Sequence, residues 1–420
     1  MFLISLPLIL SLSGCWLFRP LLYDVRIHPQ TISPNADGHD DVALIEYKLG
    51  RNATVSIYFV DQNGQRYYFR RERPRAKSIS KGYSVYFGGV INISSGRWPK
   101  ARMLPDGEYT FVIEATDGRG RSYKVEQPFT IVDADTTYPE LRGFSVHPPV
   151  FTPNRDGVGD RVTVNYYLTK EADVQVYLIG EDGVKYPLEE RPGPVKPGKP
   201  GPHVCDYEGG VDLGAEPPPD GTYTVVVTAE DKVGAKETVT GTLTIMHGGV
   251  PLAAIVNGEV FYSVDGTDVE FPVLTMPLGA TLYFTATVEN YGDTPIRTTG
   301  PPPGTVYTTR QNYSTLGWHQ SDGAMRLGIN FEENPGLDYP FRWGLGRPEE
   351  LTKIGDWYYL MPGQQVVITG ALQILDEPLR NPFYLWAGLI HEGVEVVQNQ
   401  LDPIHITVDV AAQGAWNKNK

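Results

Sequence analysis

Cysteine is almost missing from this 420-residue chain: only Cys15 and Cys205 are present, so no disulfide framework can hold it together. Positive charge is also short. Lys and Arg number 36 against 50 Asp and Glu, a formal net charge of −14, which excludes nucleic acid as a general partner because phosphate binding relies on a basic surface. Past the first dozen residues no stretch approaches 18 consecutive apolar residues, so no later segment is expected to cross a membrane as a helix. Catalytic motifs are absent too: there is no Gly-x-Ser-x-Gly elbow, His-Glu-x-x-His, phosphate-cradling glycine loop or Cys-x-x-Cys. The carboxylate neighbours Glu332 and Glu333, or Asp376 and Glu377, would point to opposite faces of a strand, which argues against a glycosidase pair. The reading is a non-enzyme. What the chain does have is Gly 45, Pro 35 and Tyr 25 with only 20% charged residues, a composition of turns and strands. Its length suits two to four domains, each with its own core.

The N-terminus carries the one strongly apolar run, residues 2–12, followed by Leu12-Ser13-Gly14-Cys15. The run is too short for a transmembrane helix and has the length of a signal-peptide core. It resembles the signal peptide and lipobox of bacterial lipoproteins, although no Lys or Arg precedes it. The resemblance implies lipidation at Cys15, loss of residues 1–14, and a membrane-anchored, extracytoplasmic place in the bacterial cell envelope. Several acyl chains hold durably where one is marginal. With Cys15 lipidated, Cys205 has no partner within the chain.

Residues 21–134 and 138–247 read as two copies of one β-domain. Pro34-Asn35-Ala36-Asp37-Gly38-His39-Asp40-Asp41 returns as Pro153-Asn154-Arg155-Asp156-Gly157-Val158-Gly159-Asp160, an offset of 154 − 35 = 119. Alternating strands follow each copy, at 43–49 and 53–60, then at 162–168 and 172–179, with Asp-Gln-Asn-Gly and Glu-Asp-Gly turns behind them. Asp106-Gly107-Glu108-Tyr109 pairs with Asp220-Gly221-Thr222-Tyr223, an offset of 220 − 106 = 114. The size and strand spacing predict immunoglobulin-like sandwiches, and Tyr109 and Tyr223 sit where a tyrosine corner would. These early and late elements resemble the Ig-like domain of flagellar hook-capping proteins and the C-terminal Ig-like modules of bacterial surface proteins. The resemblance implies spacers or assembly surfaces rather than chemistry.

The repeated Asn-x-Asp-Gly loop has two readings. Clustered side-chain oxygens around a glycine suit calcium, which takes six to eight oxygens; Asn35, Asp37 and Asp41, and Asn154, Asp156 and Asp160, would supply them. The alternative is an Asx-turn, in which those side chains accept bonds from their own backbone.

Two insertions distinguish the copies. Residues 66–81 hold the basic run Arg70-Arg71-Glu72-Arg73-Pro74-Arg75-Ala76-Lys77, read as an exposed hairpin or a contact to anionic headgroups or wall polymer. The Ser78-Ile79-Ser80-Lys81 spacing within it has no Ser-Asp-Asn or Lys-Thr-Gly to support it as a penicillin-recognising site. Residues 192–219, rich in Pro and Gly and carrying Cys205, read as an extended loop.

Residues 250–411 form a divergent third β-sandwich, with strands expected at 281–289, 365–375, 383–391 and 403–410, and residues 412–420 form a tail. Its Asn290-Tyr291-Gly292 and Pro362-Gly363 turns resemble those of bacterial Ig-like adhesion modules. Between them lie Trp318, Trp343 and Trp357, with Arg326, Asp338 and Arg342 as polar partners. Aromatic faces beside such groups suit a glycan or cell-wall polymer, or an envelope protein partner; large rings also simply fill cores. The sequence therefore reads as an all-β, lipid-anchored surface protein that is structural or adhesive, or else binds carbohydrate or cell wall through its last domain, with a glycan-acting hydrolase lacking a recognisable motif as the remaining alternative. Three sandwiches in series would reach on the order of 100 Å.

Overall fold

A computed structural model describes residues 19–411 except 80, 95, 266, 269–272 and 333. The chain is all-β, and its buried side chains fall into three clusters, within residues 21–131, 141–245 and 253–408. The expected tandem β-sandwiches are present.

In the first module, alternation does the folding. Ala43, Ile45, Tyr47 and Leu49 of strand Ala43–Leu49 point inward while their neighbours stay at the surface. This strand lies between Leu22–His28 and Tyr83–Phe87 in a three-stranded sheet. The facing sheet runs Thr31–Ile32, Ser122–Ile131, Gly107–Asp117, Ala53–Val60 and Arg66–Arg75. Phe59 and Phe87 stack across the gap at 4.1 Å, and Phe111 and Phe129 pack around Phe59. The second module repeats this plan, with Leu141–His147, Val162–Leu168 and Gly201–Tyr207 facing a sheet built on Asp173–Ile179, Gly221–Glu230 and Lys236–Ile245. Both tyrosine corners close as expected: Tyr109 Oη donates to the Pro105 carbonyl at 2.8 Å, and Tyr223 Oη to that of Pro219 at 2.6 Å.

Both insertions are more ordered than their composition implies. The basic run is no free hairpin but the ten-residue edge strand Arg66–Arg75, paired along Ala53–Val60. Its half-buried Tyr67 and Phe69 pack on the core. The Pro- and Gly-rich segment contains strand Gly201–Tyr207, and Cys205 lies wholly inside the core. Burial there, with Glu190 close by, pushes the thiol up to about 12.

The third domain packs two five-stranded sheets. One centres on Thr281–Asn290 and Gln365–Gln373, the other on Phe383–His391 and Glu395–Asp409. The aromatic stretch between is part of the sandwich: Met325–Phe331 and Phe341–Gly344 continue the second sheet, and Ile296–Thr298, Trp357–Leu360 and Thr352–Ile354 form a small third one. No helix of the described residues is long and apolar enough to cross a membrane.

The first two modules touch through the hairpin Val90–Asn92 and Ala101–Met103, which adds to the second module's sheet at the bridge between Ala101 and Lys236. Arg102 donates to the Lys236 carbonyl at 2.6 Å, pairs with Glu237 and covers the Tyr138 ring at 3.5 Å. Lys170 ties Asp135 of the connecting segment to Asp231 at 2.7 and 2.6 Å.

Candidate functional site

The two Asn-x-Asp-Gly loops fold alike. In the first, Asp41 accepts backbone N–H bonds from Asn35, Ala36 and Gly38 at 3.2, 2.8 and 2.8 Å. Asn35 Oδ1 takes the Asp37 N–H and Asp37 Oδ1 that of His39. In the second, Asp160 accepts from Asn154, Asp156 and Gly157, while Asn154 and Asp156 accept from Asp156 and Val158. Each loop is thus a ring of N–H groups closed around its own last carboxylate. Such a nest holds an anion, and a cation placed in it would face the positive ends of N–H dipoles. The side-chain oxygens of Asn35, Asp37, Asp41, Asn154, Asp156 and Asp160 mostly accept from their own backbone, as Asx-turns do. Among the described residues no group of three or more His, Cys, Asp or Glu is disposed to hold a metal. The Asx-turn reading describes these loops.

What differs between them is their surroundings. Asp37 is exposed, and a Cβ built on Gly38 would meet nothing within 4 Å. Its counterpart Asp156 is 3% exposed, because the third domain closes over the second loop. Arg297 is buried; its Nε donates to the Asp156 carbonyl, one terminal nitrogen to the Asp322 carbonyl, and the other to Ser321 Oγ at 3.1 Å. Tyr359 Oη donates to Asp156 Oδ2 at 3.0 Å. His391 Nε2 lies 2.8 Å from the Arg155 carbonyl, which makes it the protonated nitrogen of the neutral ring. The two backbones meet without side chains between them. A Cβ on Gly157 would lie 2.3 Å from the Asp322 carbonyl oxygen, and one on Gly323 would lie 2.1 Å from the Asp156 carbonyl carbon. Both glycines are left-handed, with φ of 79° and 82°.

This socket is electrostatically strained and balanced. Burial and the neighbouring Asp160 raise the Asp156 carboxyl above its ordinary value, against the opposing pull of the Val158 N–H, Tyr359 and Arg297. Burial lowers the Arg297 guanidinium and the His391 imidazole, and raises the Tyr359 phenol.

Of the residues singled out for ligand binding, Trp357, Arg326 and Arg342 are tied to this socket. Trp343 is fully buried, its Nε1 donating to the Thr305 carbonyl at 3.0 Å and its ring edge-on to Phe284 and Tyr307. Its faces are core contacts, so it has none to offer a sugar. Arg326 and Arg342 are also buried, both paired with Glu392 Oε1 at 2.8 and 2.7 Å. Glu392 in turn accepts the Ser321 N–H at 2.6 Å, its carbonyl takes the Gly323 N–H, and Arg326 holds the His319 carbonyl. The triad therefore fixes the turn that carries Asp322 and Gly323 against the second module. Asp338 is exposed and accepts from Asn330, while its carbonyl anchors Arg342. Trp318 is half-buried against the core, and Trp357, 39% exposed, lies under the Arg297 guanidinium at 4.7 Å.

Arg297, Gly323 and Glu392 stand in no recognisable motif; Tyr359 shows in the sequence only as one ring of the aromatic stretch, and His391 only as a histidine without metal-ligand spacing. Of the carboxylate pairs, Glu332 is bound to Arg380 and Asp376 to Arg310, and Glu333 lies outside the described residues. Cys15 also lies outside them.

No protein-family model matches the chain, and no curated protein matches it either. Among solved structures, the chain is similar to a Ca2+-stabilized adhesin that helps an Antarctic bacterium reach out and bind ice. That match has 14% identity, covers 93% of this chain and 73% of that one, and has a TM-score of 0.26. It is similar to a tetra-tandem repeat in the extending region of a large adhesion protein, at 13% identity, 89% and 88% coverage, and a TM-score of 0.18. A Bacteroides ovatus protein, SGBP-B of a mixed-linkage glucan utilization locus in complex with a heptasaccharide, matches at 9% identity, 92% and 71% coverage, and a TM-score of 0.15.

Proposed function

We propose that this chain is a non-catalytic, lipid-anchored protein of the bacterial cell envelope whose repeated modules carry its last domain at a fixed angle. Cys15 bears the lipid, residues 21–134 and 138–247 form the stalk, and residues 250–411 present a surface to an envelope protein, glycan or wall polymer. The observation that carries this reading is the buried second loop. Domains joined by ordinary interfaces move relative to one another by default. Here a buried guanidinium, a phenol and an imidazole all close on one loop of the neighbouring domain, with backbone against backbone at Gly157 and Gly323. Such a joint suits a protein that holds a working surface away from a membrane. The partly exposed rings Trp318 and Trp357 are the aromatic contacts that the C-terminal domain offers a partner.

The test is metabolic labelling of the full chain with palmitate, followed by fractionation. The expected result is label on the unaltered chain, none on Cys15→Ser, and release of that variant from membranes. An unlabelled chain, or a Cys15→Ser form with unchanged location, would sink the anchor.

A further inference from the structure

The first module is polarised along its length. At the end where the chain enters, Gly50 packs against Pro20, strands Ala53–Val60, Arg66–Arg75 and Gly107–Asp117 meet in register at Ala53, Arg75 and Asp117, and Lys77 N–H bonds Asn52. A surface hollow there is lined by Arg19, Arg51, Arg119 and Arg121. Arg51 and Arg121 share Asp117, and Lys48 pairs with Asp24. Arg19, Arg73, Arg75, Lys77, Lys81 and Arg119 make no ion pair among the described residues. The opposite end, toward the second module, gathers Asp37, Asp41, Asp61, Asp106 and Asp133. On a chain of net charge −14, this concentration of cations at one end is a local reversal.

A second feature sits on the same end. The Ser78 N–H bonds the Leu49 carbonyl, which brings the following turn beside the Leu49-Gly50-Arg51 corner. Ile79 in that turn is 94% exposed, between Lys77 and Lys81 in sequence. A soluble acidic polymer needs only the cations. A bilayer takes both: phosphate headgroups for the lysines and the acyl boundary for the isoleucine.

We propose that this end of the first module lies flat on an anionic phospholipid surface, with Ile79 inserted and the unpaired Arg and Lys residues around it on the headgroups. The inference rests on reading Cys15 as the lipid anchor, since the four residues from Cys15 to Arg19 span at most about 14 Å. The anchor holds the chain to the membrane, and the basic end fixes the angle at which the stalk leaves it.

The test uses residues 19–411, which hold all three cores of the described residues. The body is sedimented with vesicles of phosphatidylcholine alone or mixed with phosphatidylglycerol. Binding is expected only to the mixed vesicles, and is expected to fall when ionic strength rises from about 0.1 M to 1 M, which shortens the Debye length from about 10 to 3 Å. Each cation removed near an anionic surface weakens binding about fivefold. Lys77→Gln with Lys81→Gln is therefore expected to cost about 25-fold, and Lys232→Gln on the second module to change nothing. Ile79→Ser, at a site too exposed to disturb folding, is expected to weaken vesicle binding further. No binding to mixed vesicles, binding indifferent to Ile79→Ser, or equal competition by soluble polyphosphate would overturn the proposal. Cys15 takes no part in this assay, so its outcome is separate from that of palmitate labelling.

Discussion

Replacing Arg297 by Ala should uncouple the second module from the C-terminal domain. The guanidinium donates to the buried Asp156 carbonyl, to the part-buried Asp322 carbonyl and to the Ser321 hydroxyl. Bonds from charged donors are worth about 1.5–3 kcal/mol each, and the Asp156 carbonyl left behind would be buried without this partner. The desolvation that lowers the Arg297 pKa offsets part of that gain, so a net loss of about 3–5 kcal/mol is expected. Urea unfolding read by near-ultraviolet dichroism and tryptophan fluorescence should show it. In the unaltered protein the two domains are expected to unfold together; in Arg297→Ala the transitions should separate. The Trp357 ring, covered by Arg297 at 4.7 Å, should also shift its emission to the red. Arg297→Lys keeps the charge without the fork and should recover only part of the loss. Coincident transitions with a stability change under about 0.5 kcal/mol would refute the idea that this residue holds the joint.

Gly157→Ala and Gly38→Ala place the same change at equivalent points of the repeat. Both carry about 1 kcal/mol of left-handed strain, but only the Gly157 variant meets a backbone oxygen, so thermal melts should show it costing about 1–3 kcal/mol more. Acidification should loosen the joint through His391. Burial depresses the imidazole below 6.5 against the opposing bond to the Arg155 carbonyl, so the released ring takes a proton before the docked ring does. The contribution is complete above about pH 6.5 and drains away as the pH falls toward the docked value; His391→Gln should abolish that part of the pH profile. Asp156, raised by burial, works in the opposite sense, opposing docking as the pH climbs from the ordinary carboxylate value. Asp160→Ala removes the acceptor of three N–H groups and should cost about 2 kcal/mol equally with calcium or with chelator, since the carboxylate serves the backbone.

The sandwiches were legible where burial is one-sided. Period-two alternation marks Ala43–Leu49 and Val162–Leu168, and Asp-Gly-x-Tyr marks the tyrosine corners, because each signal is local. Strand Arg66–Arg75 hid because it lies at a sheet edge, where arginines flank the half-buried Tyr67 and Phe69. Strand Gly201–Tyr207 hid behind its Pro and Gly neighbours, although Cys205 and His203 both face inward. Trp343, Arg326 and Arg342 lie near one another in the sequence, but whether rings and guanidinium groups face water or each other depends on packing that spacing does not encode. The joint was illegible for a similar reason. Asp156 meets Arg297, Tyr359 and His391 of another domain, and each of those is an ordinary residue until the fold brings it across.

The most direct test of the rigid joint is a distance distribution between spin labels at Val184→Cys and Leu379→Cys, both exposed positions on either side of it. Cys205, buried and with its thiol pushed up to about 12, should stay unlabelled. One narrow distribution, broadened by Gly323→Ala, is the expected result. A broad distribution in the unaltered protein would mean that the third domain swings freely, and would contradict the account.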